Sequence, residues 1–170
     1  MRRRRSQGIE LRGALLRGAA AGAIGTAAMT VLQLAVRRAQ GKRLDTPVPR
    51  TWDEAPAPAQ VVKKAAEAVG EGRRVAKRHV PLLTNALHWS YGTTWGLGYG
   101  FAAHVVRPRN PLAGGLALGV AAWAAAYAEL VPTGIYEPPW RYPASELALD
   151  LGYHLAYGLG VAGAYAALDR

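Results

Sequence analysis

The sequence predicts an all-α polytopic membrane protein, a four-helix transmembrane bundle, and three observations carry that expectation. Its charges are bunched, leaving four stretches of about twenty residues almost free of them. Each stretch carries small residues four apart, the spacing that lets helix backbones touch where water provides no driving force. Cations and aromatic residues collect at the ends of the stretches, as they do at membrane–water boundaries. Whole-chain averages conceal this pattern. Of the 170 residues 51% are apolar, yet the mean hydropathy is only −0.01, because most of the 21 Lys and Arg and 11 Asp and Glu are packed into the intervening segments. The formal charge is +10, and the length fits one domain. Cysteine is absent, which excludes disulfides, thiolate nucleophiles, Cys-based zinc, Fe–S clusters and covalent haem.

The chain opens on a basic arm, residues 1–12, with four consecutive arginines (Arg2 to Arg5). The first span covers 13–36. Its uncharged part, 18–36, is about 28 Å long as a helix, close to the hydrocarbon thickness. Arg17 can snorkel at its start, and Arg37 and Arg38 close it like a stop, which favours a retained helix over a cleaved signal peptide. Residues 37–80 form a basic loop. Four prolines (Pro47, Pro49, Pro56, Pro58) keep its first half extended or turning. After Pro58, Val62, Ala65, Ala66 and Val69 share one face against Lys63, Lys64 and Glu67, an amphipathic helix either lying on anionic headgroups or solvated.

The second span, 81–106, has no formal charge with neutral histidine, and Arg107-Pro108-Arg109 forms a basic turn after it. The third span, 111–131, holds a single acid, Glu129. A proline- and aromatic-rich loop, 132–144, leads to the fourth span, 146–168. Spans two and four match at an offset of 66: His88, Tyr91, Gly92 and Tyr99 align with His154, Tyr157, Gly158 and Tyr165. Spans one and three match through Ala21-Gly22 and Ala113-Gly114. Two parallel hairpin repeats would follow, related by an axis along the membrane normal.

That arrangement gathers Gln33, Asn85, His88, Glu129, Glu146, Asp150 and His154 in one half of the bilayer. Glu146, Asp150 and His154 stand four apart on one helix face. An unpaired acid at mid-helix costs about 2.5–3.5 kcal/mol, so these groups are expected to face inward and pair. Asp150 is expected to accept from His154 and fix its tautomer. His88, Asp150, His154 and Glu129 are the candidate ligands of a divalent metal, and His88 with His154 the candidate axial pair of a b-type haem. A proton-linked pathway is a third functional reading. Interhelical hydrogen bonds and interfacial carboxylates are the structural alternative. Trp89, Trp95, Trp123 and Tyr127 are expected to face lipid or pack.

Soluble-enzyme signatures such as Gly-x-Ser-x-Gly, a Walker loop or His-Glu-x-x-His are missing. The cations flank apolar spans, so lipid headgroups explain them better than nucleic acid. Partners expected from the sequence are the bilayer, anionic headgroups along the basic loop and, for a homo-oligomer, further copies of the chain.

Four short Gly/Ala-rich spans, the Ala21-Gly22 to Gly25-Thr26 segment in the first, a long first loop and histidines in later spans resemble the YagU-like family of small bacterial inner-membrane proteins. The resemblance is spread over the whole chain and implies a multi-pass protein of the bacterial cytoplasmic membrane. It transfers no activity, cofactor or residue role. A transport, sensing or stress-related component is expected rather than an enzyme, with a metal- or haem-binding redox module as the alternative.

Overall fold

The computed structural model describes residues 2–106 and 110–170, with side chains from Glu10 onward. The basic turn predicted at Arg107 to Arg109 lies outside the described residues. Those residues form five α-helices and three short 3₁₀ turns, with no strand among them: α1 (Arg2–Ala39), α2 (Ala57–Ala68), α3 (Val80–Val106), α4 (Pro111–Leu130) and α5 (Ala144–Leu168). Helix α1 already starts at Arg2, so the basic arm is its first turns rather than a separate segment. At 38 residues it is about 57 Å long, well beyond one hydrocarbon thickness.

Two segments are long and apolar enough to cross a membrane, Glu10–Ala39 of α1 and Pro111–Leu130. Helices α3 and α5 have the length but a more polar content. Histidines, tyrosines, serine and threonines dilute α3, and Glu146 and Asp150 dilute α5.

Local chemistry sets the helix ends. Asn110 caps α4, its Oδ1 accepting from the backbone N–H groups of Leu112 (3.0 Å) and Ala113 (3.2 Å), with Pro111 in the first helical position. Helices α1, α2 and α4 all stop at a glycine with positive φ: Gly41, Gly70 and Gly134. In each, the glycine N–H and the next N–H bond back to the last-turn carbonyls, for instance Gly41 to Arg38 and Lys42 to Arg37. This is the Schellman arrangement, and its left-handed residue disfavours any side chain.

The four long helices pack in the order α3, α1, α5, α4. Glycines set their spacing. A methyl group on Gly22 would lie 2.7 Å from the Gly92 carbonyl and 3.0 Å from the Cα atoms of Thr93 and Gly96. A methyl on Gly115 would meet the Gly158 carbonyl at 2.8 Å, Ala162 at 3.0 Å and Leu159 at 3.1 Å. Each partner of Gly115 stands 66 residues beyond the matching partner of Gly22. Gly22 therefore corresponds to Gly115, one residue later than the match drawn through Gly114 from sequence.

Between the diagonal helices α3 and α5, the residues that share the 66-residue offset meet in the centre. Tyr99 and Tyr165 pack edge to face with centroids 5.6 Å apart, and the Tyr157 hydroxyl donates to the Gly92 carbonyl at 2.6 Å. Tyr99, Tyr157, Tyr165, Val161, Leu118 and Met29 are the large members of the core; Ala21, Ala103 and Ala162 fill the remainder.

The amphipathic α2 does not stand apart from the long helices. Its Ala59 is buried with Ala55 and Val80 against the start of α3, and Trp52 and Leu83 cover them. Segment 51–59 makes this seat. Gln60 donates to the Ala55 carbonyl, Glu54 accepts from the Arg50 N–H, and Lys63 lies over the Trp52 ring.

The glycine contacts predict opposite effects for two neighbouring substitutions. A Cβ at Gly96 would collide with backbone atoms of Gly18 and Gly22, whereas at Gly98 it meets open space. Alanine in place of a helical glycine contributes roughly 0.5–1 kcal/mol by itself. Gly98→Ala is therefore expected to hold or raise the melting temperature in detergent, and Gly96→Ala to lower it. Equal responses would show that the glycine stripe is not an interface.

Candidate functional site

The acid that the sequence places deepest, Asp150, sits on α5 facing α4 at the end of the molecule where α4 terminates. Its Oδ2 accepts from the Trp123 indole N–H at 3.0 Å and from the Tyr127 hydroxyl at 3.3 Å. Trp123 and Tyr127 are one helical turn apart, so both reach the same carboxylate from α4.

The connector after α4 closes over this point. Tyr136 packs on Tyr127 with centroids 5.2 Å apart, Tyr142 meets Tyr127 edge to face at 6.1 Å, and Trp123 lies 5.2 Å from Tyr127 on the other side. The rings fill one another's surroundings and leave the carboxylate as the polar centre of an aromatic cluster. Tyr142 also accepts the Glu137 backbone N–H with its hydroxyl, which fixes the connector's turn. Burial, with the nearby Asp150 charge second, pushes the Tyr136 phenol up to about 12.

His154 lies one turn after Asp150, and its Nδ1 is 2.9 Å from the Asp150 backbone carbonyl against 3.7 Å from the carboxylate Oδ1. A carbonyl can only accept, so Nδ1 carries the proton and Nε2 is left as the acceptor. The tautomer is thus set by the backbone, where the sequence had pointed to the carboxylate. Across the interface His88 Nε2 stands 3.5 Å from Thr30 Oγ1, whose own proton goes to the Thr26 carbonyl at 2.8 Å.

The structure therefore holds Asp150 and His154 on neighbouring turns of α5, with the His154 ring on the Asp150 carbonyl, and His88 beside Thr30 of α1, without a shared centre. Glu129 is engaged elsewhere, accepting from the Tyr91 hydroxyl at 3.0 Å and linking the end of α4 to α3. Asn85 donates back to its own helix at Pro81, and Glu146 is exposed in the first turn of α5. Among the described residues, no three His, Asp or Glu side chains come together closely enough to hold a metal ion. Trp123 and Tyr127 were the partners that sequence reading missed, assigned there to lipid or packing. Their four-residue spacing near the end of α4, opposite an acid near the start of α5, was the available signal.

At the opposite end of the bundle, Arg17 pairs with Asp169 at 2.8 Å and lies over the Tyr165 ring at 5.9 Å. With both partners partly exposed, the pair adds little stability. Comparison with family models, with curated proteins and with solved structures finds no match for this chain.

Two expectations follow from this geometry. In a double-mutant cycle, Trp123→Phe and Asp150→Asn should couple by about 0.6 kcal/mol, the usual size of an interhelical hydrogen bond; additive effects would remove the bond from the structure. The second concerns alkaline pH. A phenol whose folded pKa is raised stabilises the fold fully below its unfolded pKa, near 10, and that contribution is lost as pH rises to about 12. Wild-type stability should therefore fall more steeply than that of Tyr136→Phe between about pH 10 and 12. Parallel melting curves across that window would contradict the buried position of Tyr136.

Proposed function

We propose that the chain is a four-span protein of the bacterial cytoplasmic membrane, working as a transport, sensing or stress-related component rather than as an enzyme. One observation carries the reading: the molecule is apolar on the outside along all four long helices. Leu16, Ile24 and Val31 of α1, Phe101 and Val105 of α3, Leu112 and Val120 of α4, and Leu159 and Leu168 of α5 are all exposed. The interior meanwhile is glycine, alanine and tyrosine. Such a surface is a liability in water and ordinary in lipid. The greater polarity of α3 and α5 is compatible with spanning, because Tyr91 of α3 and Tyr157 and Asp150 of α5 spend their polarity on other helices.

The matching glycine contacts support two repeated hairpins about an axis along the membrane normal. The same architecture accords with the likeness to the YagU-like family. In this reading the spans are 13–36, 81–106, 111–131 and 146–168, and the loop cations face anionic headgroups beside the docked α2. Homo-oligomers would use the exposed apolar faces.

Nε2 of His154, left as an acceptor by the bond at Nδ1, and the repeat position that it shares with His88 keep a metal- or b-haem-binding redox module as the second reading. Titration with zinc, manganese and iron(II), and a spectrum of the purified protein, separate the two. The first reading expects no stoichiometric metal and no Soret band, with His88→Ala and His154→Ala changing stability alone. Stoichiometric binding lost in both variants would establish the second. Topology is tested by reporter fusions at Gln60 and at the C-terminus. Four spans put these on opposite sides of the membrane, and reporters on the same side would refute the four-span count.

A further inference from the structure

The fold turns the aromatic residues of the α4–α5 connector in opposite directions. Tyr136 and Tyr142 lie inward on the Tyr127 ring. Trp140 stands outward and, at 81%, is the most exposed large apolar side chain among the described residues. Prolines fix that direction. Pro138 and Pro139, whose rings lock φ, lead into a 3₁₀ turn over Pro139–Arg141. The turn is closed by the Arg141 N–H on the Pro138 carbonyl at 2.9 Å and the Tyr142 N–H on the Pro139 carbonyl at 3.2 Å. Glu137 pairs with Arg141 across it at 3.0 Å, and Pro143 sets the entry to α5. The indole is therefore carried on a preformed mount, and little ordering entropy remains to be lost when it meets a partner.

Helix α4 sets the depth of this mount. Its 20 residues make about 30 Å, one hydrocarbon thickness. Tyr127 belongs to its last turn, and both connector tyrosines rest on that ring, with centroids 5.2 and 6.1 Å away. The connector is thus folded back onto the helix end. Trp140 is two residues from Tyr142, at most about 7 Å of chain. That keeps it at the level where a spanning α4 leaves the hydrocarbon. An indole suits this level: its rings are apolar, and its single N–H finds phosphate, ester carbonyl or water. The other tryptophans are placed differently. Trp52 covers the seat of α2, Trp123 gives its N–H to Asp150, and Trp89 and Trp95 lie within α3.

We propose that Trp140 anchors the chain in the bilayer interface, its indole seated between headgroups and acyl chains and the proline turn serving as its rigid mount. The anchor rests on the membrane-spanning reading of the four long helices. Lipid is the occupant that the depth favours, because a protein partner would need the indole clear of the headgroups. The same turn carries the tyrosines that roof Asp150. The bilayer therefore holds the roof from outside while Tyr127 holds it from within.

The test uses the full chain reconstituted in phosphatidylcholine vesicles, with nitroxide labels on the lipid acyl chain as quenchers of tryptophan fluorescence. One lipid carries the label near the headgroup, the other near the end of the chain. The fluorescence removed by Trp140→Phe is the Trp140 signal, and that removed by Trp89→Phe is the Trp89 signal. Trp140 should be quenched about twofold more strongly by the shallow label than by the deep one, as befits a ring at the hydrocarbon edge. In detergent Trp140→Phe should melt as the wild type does, because the side chain is exposed. Equal quenching by both labels, stronger quenching by the deep label, or quenching by neither overturns the anchor. The last of these is the outcome for an indole that faces water or a protein partner. Trp89, 39% exposed on α3, separates failure of the anchor from failure of the membrane reading. Lipid quenching of Trp89 without that of Trp140 refutes the anchor alone. Absence of lipid quenching at both refutes the membrane reading together with it.

Discussion

Backbone-to-backbone contact at glycine is the constraint on which the arrangement of the molecule depends. Gly18 and Gly22 of α1 lie against Gly92, Gly96 and Gly100 of α3, and Gly115 and Gly119 of α4 against α5 around Gly158. At these places a single methyl group would fall on a carbonyl or a Cα, which no rotamer can relieve. Close approach maximises van der Waals contact, the main source of helix association once water is removed from the comparison. It also dictates what can fill the rest of the interior. With the flanking seams so narrow, the centre has room for slabs such as Tyr99, Tyr157 and Tyr165, whose hydroxyls reach backbone or the bundle ends.

The same closeness explains how the chain tolerates Asp150. A carboxylate on α5 is brought within reach of α4, and the donors that meet it are an indole and a phenol. Both are flat groups with one polar edge, able to pack as apolar surface while directing a proton inward. The connector's Tyr136 and Tyr142 then roof the cluster, so the loop between α4 and α5 is held by the packing it covers. Glu129, one turn nearer the helix end, is left to Tyr91 of α3. The polar groups at this end thus stitch helices pairwise. A shared centre would have required Glu129 and His88 to turn toward Asp150, and each is already engaged with a nearer partner.

Much of this was legible in the sequence, and the exceptions have physical reasons. The helices follow from charge bunching and turn chemistry, and the contact between α1 and α3 from glycines four apart. The offset of 66 paired Tyr99 with Tyr165 as repeat positions, and only the folded arrangement shows that the two rings meet in the centre. Partner choice was less accessible. His154 had both a carboxylate and a carbonyl one turn back, and only the rotamer decides between them. Trp123 read as a membrane aromatic because its N–H reveals no direction until α5 is set beside it. The register between α1 and α4 was misjudged by one residue, since glycines at 114 and 115 both satisfied the pattern, while only Gly115 faces α5. Segment 51–59 resisted interpretation because its purpose is a tertiary seat: Ala55 and Ala59 are small so that the loop can rest on Val80.

Repeat and departure from repeat have different consequences in this chain. An exact two-fold would close the α3–α4 seam as tightly as α1–α5, and the interior would be sealed on all sides. Two substitutions against the symmetry prevent this, Leu118 in the place of Gly25 and Thr94 in the place of Gly160. Fold stability does not require the difference, since a glycine pair already closes the corresponding seam. What the difference leaves is a lateral groove beside Leu118, lined by Trp95, Gly98 and Tyr99. The Asp150 cluster lies at the far end and is consumed by its own hydrogen bonds, whereas Arg17 Nε and Thr84 Oγ1 are buried without a partner among the described residues. The departures from the repeat thus shape the α3–α4 side of the bundle, while the hydrogen bonds at the Asp150 end join the helices pairwise.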